Sequence, residues 1–183
     1  MTVPVNSKRY RASQVKLLTN KIGVYALCDL DGVPIYVGQS VDGIRARVQR
    51  HLTSARSDII ANCQIDVWEI AYVWAWPAQT AIDIPHLEAK LFNLFDSQMS
   101  LMNGKIMRLP KIDVDVPERE SVQVIEDAER LKRLDPALRL PRQISQYHKL
   151  VDYIQTVKDE PHLKRSLAAH FDRLVKYHNT FLS

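Results

Sequence analysis

Residues 23–38 read GVYALCDLDGVPIYVG, two short β-rich runs on either side of the pair Asp31-Gly32. Asp-Gly favours the positive φ of a tight turn, so the stretch predicts a two-residue β-hairpin. Counting outward from that loop sets Gly38 opposite Tyr25 and Tyr36 opposite Leu27. Opposed residues share a face, as do residues two apart, so Tyr25 and Tyr36 project to one side as diagonal neighbours. Gly38 leaves open space in front of Tyr25. A one-residue bulge would break this register. Tyrosines also favour strands for packing alone, so on the hairpin by itself they read as site or as core.

Outward from the hairpin, GIRARVQRHL (43–52) begins a run with Ile44, Val48, Leu52 and Ala55 at helical spacing, so a helix follows the second strand. Arg47 and His51 lie four apart on one face bordering that stripe, within reach of the sheet. Arg45, Arg50 and Arg56 add charge with no acid between residues 43 and 57, which reads as a ridge for phosphates or as a solvated face. DVWEIAYVWAW (66–76) alternates with period two and predicts one long strand. Its Trp68, Trp74 and Trp76 could stack on bases but read as the face on which helices pack. Pro85 opens a further helix, with Glu88 in its first turn on the face of Leu91, Phe92 and Phe95. A carboxylate there complements the positive helix end or holds a cation. His86 beside it reads as a partly exposed first-turn residue. The order β, β, α, β, α predicts an α+β unit, a small central antiparallel sheet flanked by helices.

Charge is segregated along the chain. Residues 1–111 hold 13 basic and 9 acidic side chains, 112–129 one and seven, and 130–183 eleven and five, within a net charge of +4. Pro110 and Pro117 bracket alternating Asp113, Asp115 and Ile112, Val114, Val116, an extended crossing segment. The division is therefore residues 1–111, an acidic connector at 112–129 and an extension at 130–183. In the extension Ile144, Tyr147, Val151 and Ile154 make one apolar stripe and Leu163, Leu167, Phe171, Leu174 and Val175 another, with Pro161 between them, which predicts a helical hairpin. Its Arg130, Lys132, Arg133, Arg139 and Arg142 read as a DNA clamp, or its stripes as a homodimer seam.

Composition, at 46% apolar and 25% charged, excludes disordered and fibrous classes. No apolar run approaches the ~18 residues of a membrane span, and MTVPVNSKRYRAS lacks the apolar stretch of a secretory signal, so no membrane partner and a cytoplasmic setting are expected. Cys28 and Cys63 match no zinc spacing and read as buried thiols.

Together these elements resemble the GIY-YIG nuclease superfamily over roughly residues 20–106. Gly23-Val24-Tyr25 is similar to the first half of the name motif and Tyr36-Val37-Gly38 to the second, with valine for isoleucine in each, and the Tyr-to-Tyr spacing of eleven fits. Arg47 resembles the arginine of the first helix, His51 the histidine one turn on, Glu88 the metal-binding glutamate and Asn103 the late asparagine. The histidine is similar to the restriction and homing endonuclease branches. Where many members carry a lysine after the second motif, this chain has Gln39.

The resemblance implies a Mg²⁺-dependent (or Mn²⁺-dependent) DNA endonuclease with one ion per site, leaving 5′-phosphate and 3′-hydroxyl ends. In it Tyr25 would activate water, its hydroxyl helped by Arg47, His51 or Tyr36, because a free phenol titrates near ~10. Tyr36 would orient the network, Arg47 stabilise the phosphate and Glu88 bind the metal. Arg45, Arg50 and Asn103 would contact substrate; Asn103 also reads as a helix-end cap before Gly104. The alternatives are a nucleic-acid-binding module that keeps the fold without chemistry, and an adaptor acting through the helical hairpin.

Overall fold

The computed structural model describes residues 5–54 and 57–183. Ala55 and Arg56, placed by sequence on the stripe and ridge of the second helix, lie outside the described residues. The hairpin forms as β1 (Gly23–Cys28) and β2 (Pro34–Ser40), preceded by α1 (Val5–Val15). Then come α2 (Ile44–Thr53), the short α3 (Asp58–Ala61), β3 (Tyr72–Pro77), α4 (Ile84–Asp96), β4 (Glu120–Gln123), and helices α5 (Asp127–Leu134), α6 (Pro136–Thr156) and α7 (Pro161–Leu182). The four strands form one antiparallel sheet in the order β2-β1-β3-β4. The fold is α+β, as expected, with a C-terminal helical region.

β1 is central and buried along its whole length, so its alternate residues feed two cores. On one face Tyr25 and Leu27 pack with Ile44, Val48 and Leu52 of α2 and with Val15 and Leu18. On the other, Val24, Ala26 and Cys28 pack with Trp76 and with Ile84, Leu87, Leu91 and Phe92 of α4. The sheet thus separates the helix that carries Arg47 and His51 from the one that carries Glu88.

The structure differs from the sequence expectations at five places. The hairpin turn is not two residues long. Asp29, fully buried, accepts the backbone N–H groups of Asp31 and Val33 on Oδ1, and the register slips between Leu27 and Cys28. The slip lies on the turn side, so Tyr25 still faces Gly38 and Leu27 still faces Tyr36. Residues 66–76 are not one strand, because β1 ends at Cys28 opposite Tyr72 and the chain upstream has no ladder to join. It folds instead into a 3₁₀ turn, Val67–Glu69, whose Trp68 N–H is capped by Asp66. The acidic stretch contributes β4, paired to β3. Cys63 is only half-buried, at positive φ.

The fifth difference is in the C-terminal hairpin. Pro161 does separate α6 from α7, and Leu163 is buried as expected, but Ile144, Phe171 and Val175 are exposed. The inward face is mixed, with Leu150, Ala169 and Tyr177 beside the polar Gln143, Gln146, Ser166, His170 and Arg173. Of the polar ones, all but Gln143, which donates to His170 O of α7, meet irregular backbone whose carbonyls have no ladder partner and need donors. Ser166 Oγ donates to Met102 O at 2.8 Å, Gln146 to Cys63 O at 2.7 Å, and Arg173 Nη1 to Ser100 O at 2.6 Å. Four of the five cations expected as a DNA clamp are likewise engaged internally. Arg130 donates to Leu30 O, Arg133 to Glu129 and Trp68 O, Arg142 to Asp66, and Arg139 to Glu69, Asp31 and Tyr177. No helix among the described residues is long and apolar enough to cross a membrane.

Candidate active site

Tyr25 projects from the middle of β1 and is buried, its ring 6.4 Å from that of Tyr36 on β2. Gly38 makes room for it: a Cβ there would fall 2.5 Å from Tyr25 Oη and 2.9 Å from the Tyr36 ring. α2 brings His51 over both rings, and Tyr25 Oη lies 2.7 Å from His51 Nε2. The other ring nitrogen, Nδ1, lies 2.6 Å from Ser57 Oγ at the start of α3. Tyr25, His51 and Ser57 therefore form a buried hydrogen-bonded chain.

Electrostatics give each group a protonation state. Burial, with the Arg47 and Arg50 charges beside it, holds His51 down to about 4, so its imidazole is neutral at neutral pH. Burial pushes the Tyr25 hydroxyl far up, against the pull of nearby Arg47, and Tyr36 up to about 12. Neither tyrosine is a phenolate at rest. Of the three helpers open to Tyr25 on sequence, the structure gives hydrogen-bond contact to His51, at 2.7 Å, and to the Arg47 side chain.

Arg47, half-buried, lines a cavity of about 160 Å³ with Gln39, Ser40, Asp42, Gly43 and Arg50. Its Nε is buried without a partner, a donor left pointing at nothing in the protein. α4 begins at Ile84, so Glu88 stands just past the first turn in which the sequence placed it; it is half-buried, and burial alone raises its carboxyl to about 7. It is close enough to both tyrosines to raise their values too. A lone, partly desolvated carboxyl is a poor anion until a cation joins it. No cluster of three or more His, Cys, Asp or Glu side chains is placed to hold a metal among the described residues. That donor set suits a hard ion that keeps most of its waters, such as Mg²⁺, and not a closed protein cage.

Two residues expected to contact substrate are occupied elsewhere. Asn103 is buried, accepting Val37 N–H at 3.0 Å and donating to Val37 O at 2.6 Å. Because β2 is the sheet's edge, this side chain takes the place of a missing strand beside the residue between Tyr36 and Gly38. Seven residues past α4, it caps no helix end. Arg45 Nε donates to Leu18 O at 2.7 Å, tying α2 to the segment after α1. Arg50 is exposed. Sequence reasoning missed Ser57 and its neighbour Asp58, whose charge acts on His51 and Tyr36. A helix-start pattern, serine followed by an acid, was the available signal.

Residues 21–102 match the family model of the GIY-YIG catalytic domain. No curated protein and no solved structure matches the chain at a significant level.

Proposed function

Since residues 21–102 belong to the GIY-YIG superfamily, a nuclease family, we propose that this protein is a divalent-metal-dependent DNA endonuclease whose general base is Tyr25 relayed to His51. The observation that carries the reading is the Tyr25–His51–Ser57 chain, 2.7 and 2.6 Å, with His51 neutral. With Nδ1–H donating to Ser57 Oγ, Nε2 accepts from Tyr25. As water attacks phosphorus, its proton passes to Tyr25 Oη and the phenolic proton moves to Nε2. Tyr25 thus never carries a full negative charge, which its burial would oppose.

Arg47, which lines the cavity beside the tyrosines, presents its guanidinium to the non-bridging phosphate oxygens as negative charge grows there. Tyr36 packs against Tyr25 and His51 and keeps both rings in place. Glu88 would hold one Mg²⁺ or Mn²⁺, which supplies neutralisation of the departing 3′-oxygen as the P–O3′ bond breaks. A cytoplasmic setting goes with the free Cys28 and Cys63. Pairing of two copies is supported by the exposed Ile144, Phe171 and Val175.

Incubation of supercoiled plasmid with the protein, with and without Mg²⁺ or Mn²⁺, tests the reading. Conversion to nicked or linear forms only with the ion is expected. Plasmid binding with no cutting under any divalent condition would favour a binding module that keeps the fold.

A further inference from the structure

Asn103 fixes one end of a segment that the proposed chemistry does not use and that gives the core only Met107. From Gly104 to Ile112 the chain has no regular secondary structure and reads GKIMRLPKI, with a cation at every third position: Lys105, Arg108 and Lys111. No acid occurs from residue 97 to 112. Between the cations stand Ile106 and Leu109, 69% and 70% exposed, among the most solvent-open large apolar side chains of the described residues. All three cations are exposed, and none has an ion pair or hydrogen bond among the described residues.

The segment is anchored at both ends of its first half. Asn103 holds Val37 of β2, and Met107 O accepts from Asn93 Nδ2 of α4 at 3.0 Å while its side chain packs on the core. The loop therefore spans the strand that carries Tyr36 and the helix that carries Glu88. Water is a poor solvent for Ile106 and Leu109, and free cations beside them repel a basic partner. A surface that offers regularly spaced negative charge with apolar sugar and base edges between the charges satisfies both.

Resting on the nuclease reading above, we propose that residues 104–112 form a DNA-docking loop, with Lys105, Arg108 and Lys111 on backbone phosphates and Ile106 and Leu109 entering the groove of duplex DNA beside the scissile bond. The loop lies wholly beyond the matched residues 21–102, so the family match does not assign it.

Fluorescence anisotropy on a labelled duplex in EDTA, from 50 to 200 mM KCl, tests it with three proteins: wild type, a Lys105→Gln/Arg108→Gln/Lys111→Gln triple variant, and an Ile106→Ser/Leu109→Ser double variant. Three lost phosphate contacts should cut the slope of log K against log salt by about 2.7 and weaken binding about tenfold or more. The double variant should bind more weakly with an unchanged slope, and a 2-aminopurine reporter in the duplex should lose its binding-induced signal. Cleavage of a small chromogenic phosphodiester should stay at the wild-type rate in both variants. A wild-type slope in the triple variant overturns the loop proposal alone. So does a double variant that changes sedimentation and not DNA binding, which would make the patch a contact between protein copies. Wild-type protein that neither binds duplex nor cuts plasmid overturns both readings.

Discussion

The N-terminal sheet region and the C-terminal helices are both rich in arginine, and they use it in opposite ways. Around the sheet, Arg50 is exposed and Arg47 keeps an unpartnered donor, while Arg45 and the buried Arg11 of α1 are drawn into backbone contacts. In the C-terminal helices Arg133, Arg139 and Arg173 are 2%, 6% and 0% exposed. Arg173 reaches Ser100 O and Pro34 O, while Arg165 reaches Asp96 and Leu101 O. The difference follows from what lies opposite. α2 faces a regular sheet whose backbone groups are already paired, so its cations meet few internal acceptors, the Leu18 carbonyl for Arg45 and the Tyr25 hydroxyl for Arg47. The C-terminal helices face irregular loops and the buried acids Asp29 and Glu69, which accept several donors at once. Basic composition alone therefore does not locate a nucleic-acid surface; the supply of internal acceptors decides.

The contrast breaks most visibly at Glu88. Glu88→Ala should lower plasmid cleavage by ~10³ or more while duplex affinity changes less than about twofold, because the carboxylate serves the chemical step and cations supply the affinity. Gel assays beside anisotropy check this, and a parallel loss of both would make Glu88 part of the binding surface.

Next in size, Arg139→Gln should destabilise the fold by about 3–5 kcal/mol in urea denaturation, since Glu69 would be left buried beside Asp29 without its partner. DNA affinity of the folded variant should match wild type. A variant of normal stability with weakened DNA binding would restore the clamp role to these helices.

Tyr25→Phe should keep its melting temperature within the ~1 kcal/mol of one lost hydrogen bond and lower the cleavage rate by about 10². The pH profile sharpens this. An imidazole at 6.5 would lose its acceptor nitrogen as pH fell through 6.5, but His51, held at about 4, stays neutral until near that value. Wild-type rates at saturating divalent ion should therefore show no acid limb centred on 6.5, and a limb there would assign His51 another role.

The smallest effect compares neighbours on one helix. Arg47→Lys should lose about tenfold or more in rate, because a point charge cannot reproduce a planar fork on phosphate oxygens. Arg45→Lys should stay within about twofold, since an ammonium can still donate to Leu18 O. Equal effects would reduce α2 to a charged surface.

The amino-acid sequence by itself determined the hairpin, its Tyr25–Gly38 register, the amphipathic α2 and α4 and the break at Pro161, while the grouping of Tyr25, Tyr36, Arg47, His51 and Glu88 came from the resemblance to the GIY-YIG superfamily. Each of those follows from a local period or a motif of fixed order, which neighbouring residues impose on one another. Only the tertiary structure decided the rest. Trp68 leaves the strand because its neighbour strand runs out at Cys28. Asn103 turns inward because an edge strand exposes a donor and an acceptor at Val37. His51 selects its partners because Ser57 returns beneath it from another helix. The arginines of α5–α7 are drawn inside because carbonyls and carboxylates distant in sequence collect opposite them. Those outcomes depend on where unpaired polar groups accumulate once the layers have packed, and no periodicity in the chain records that.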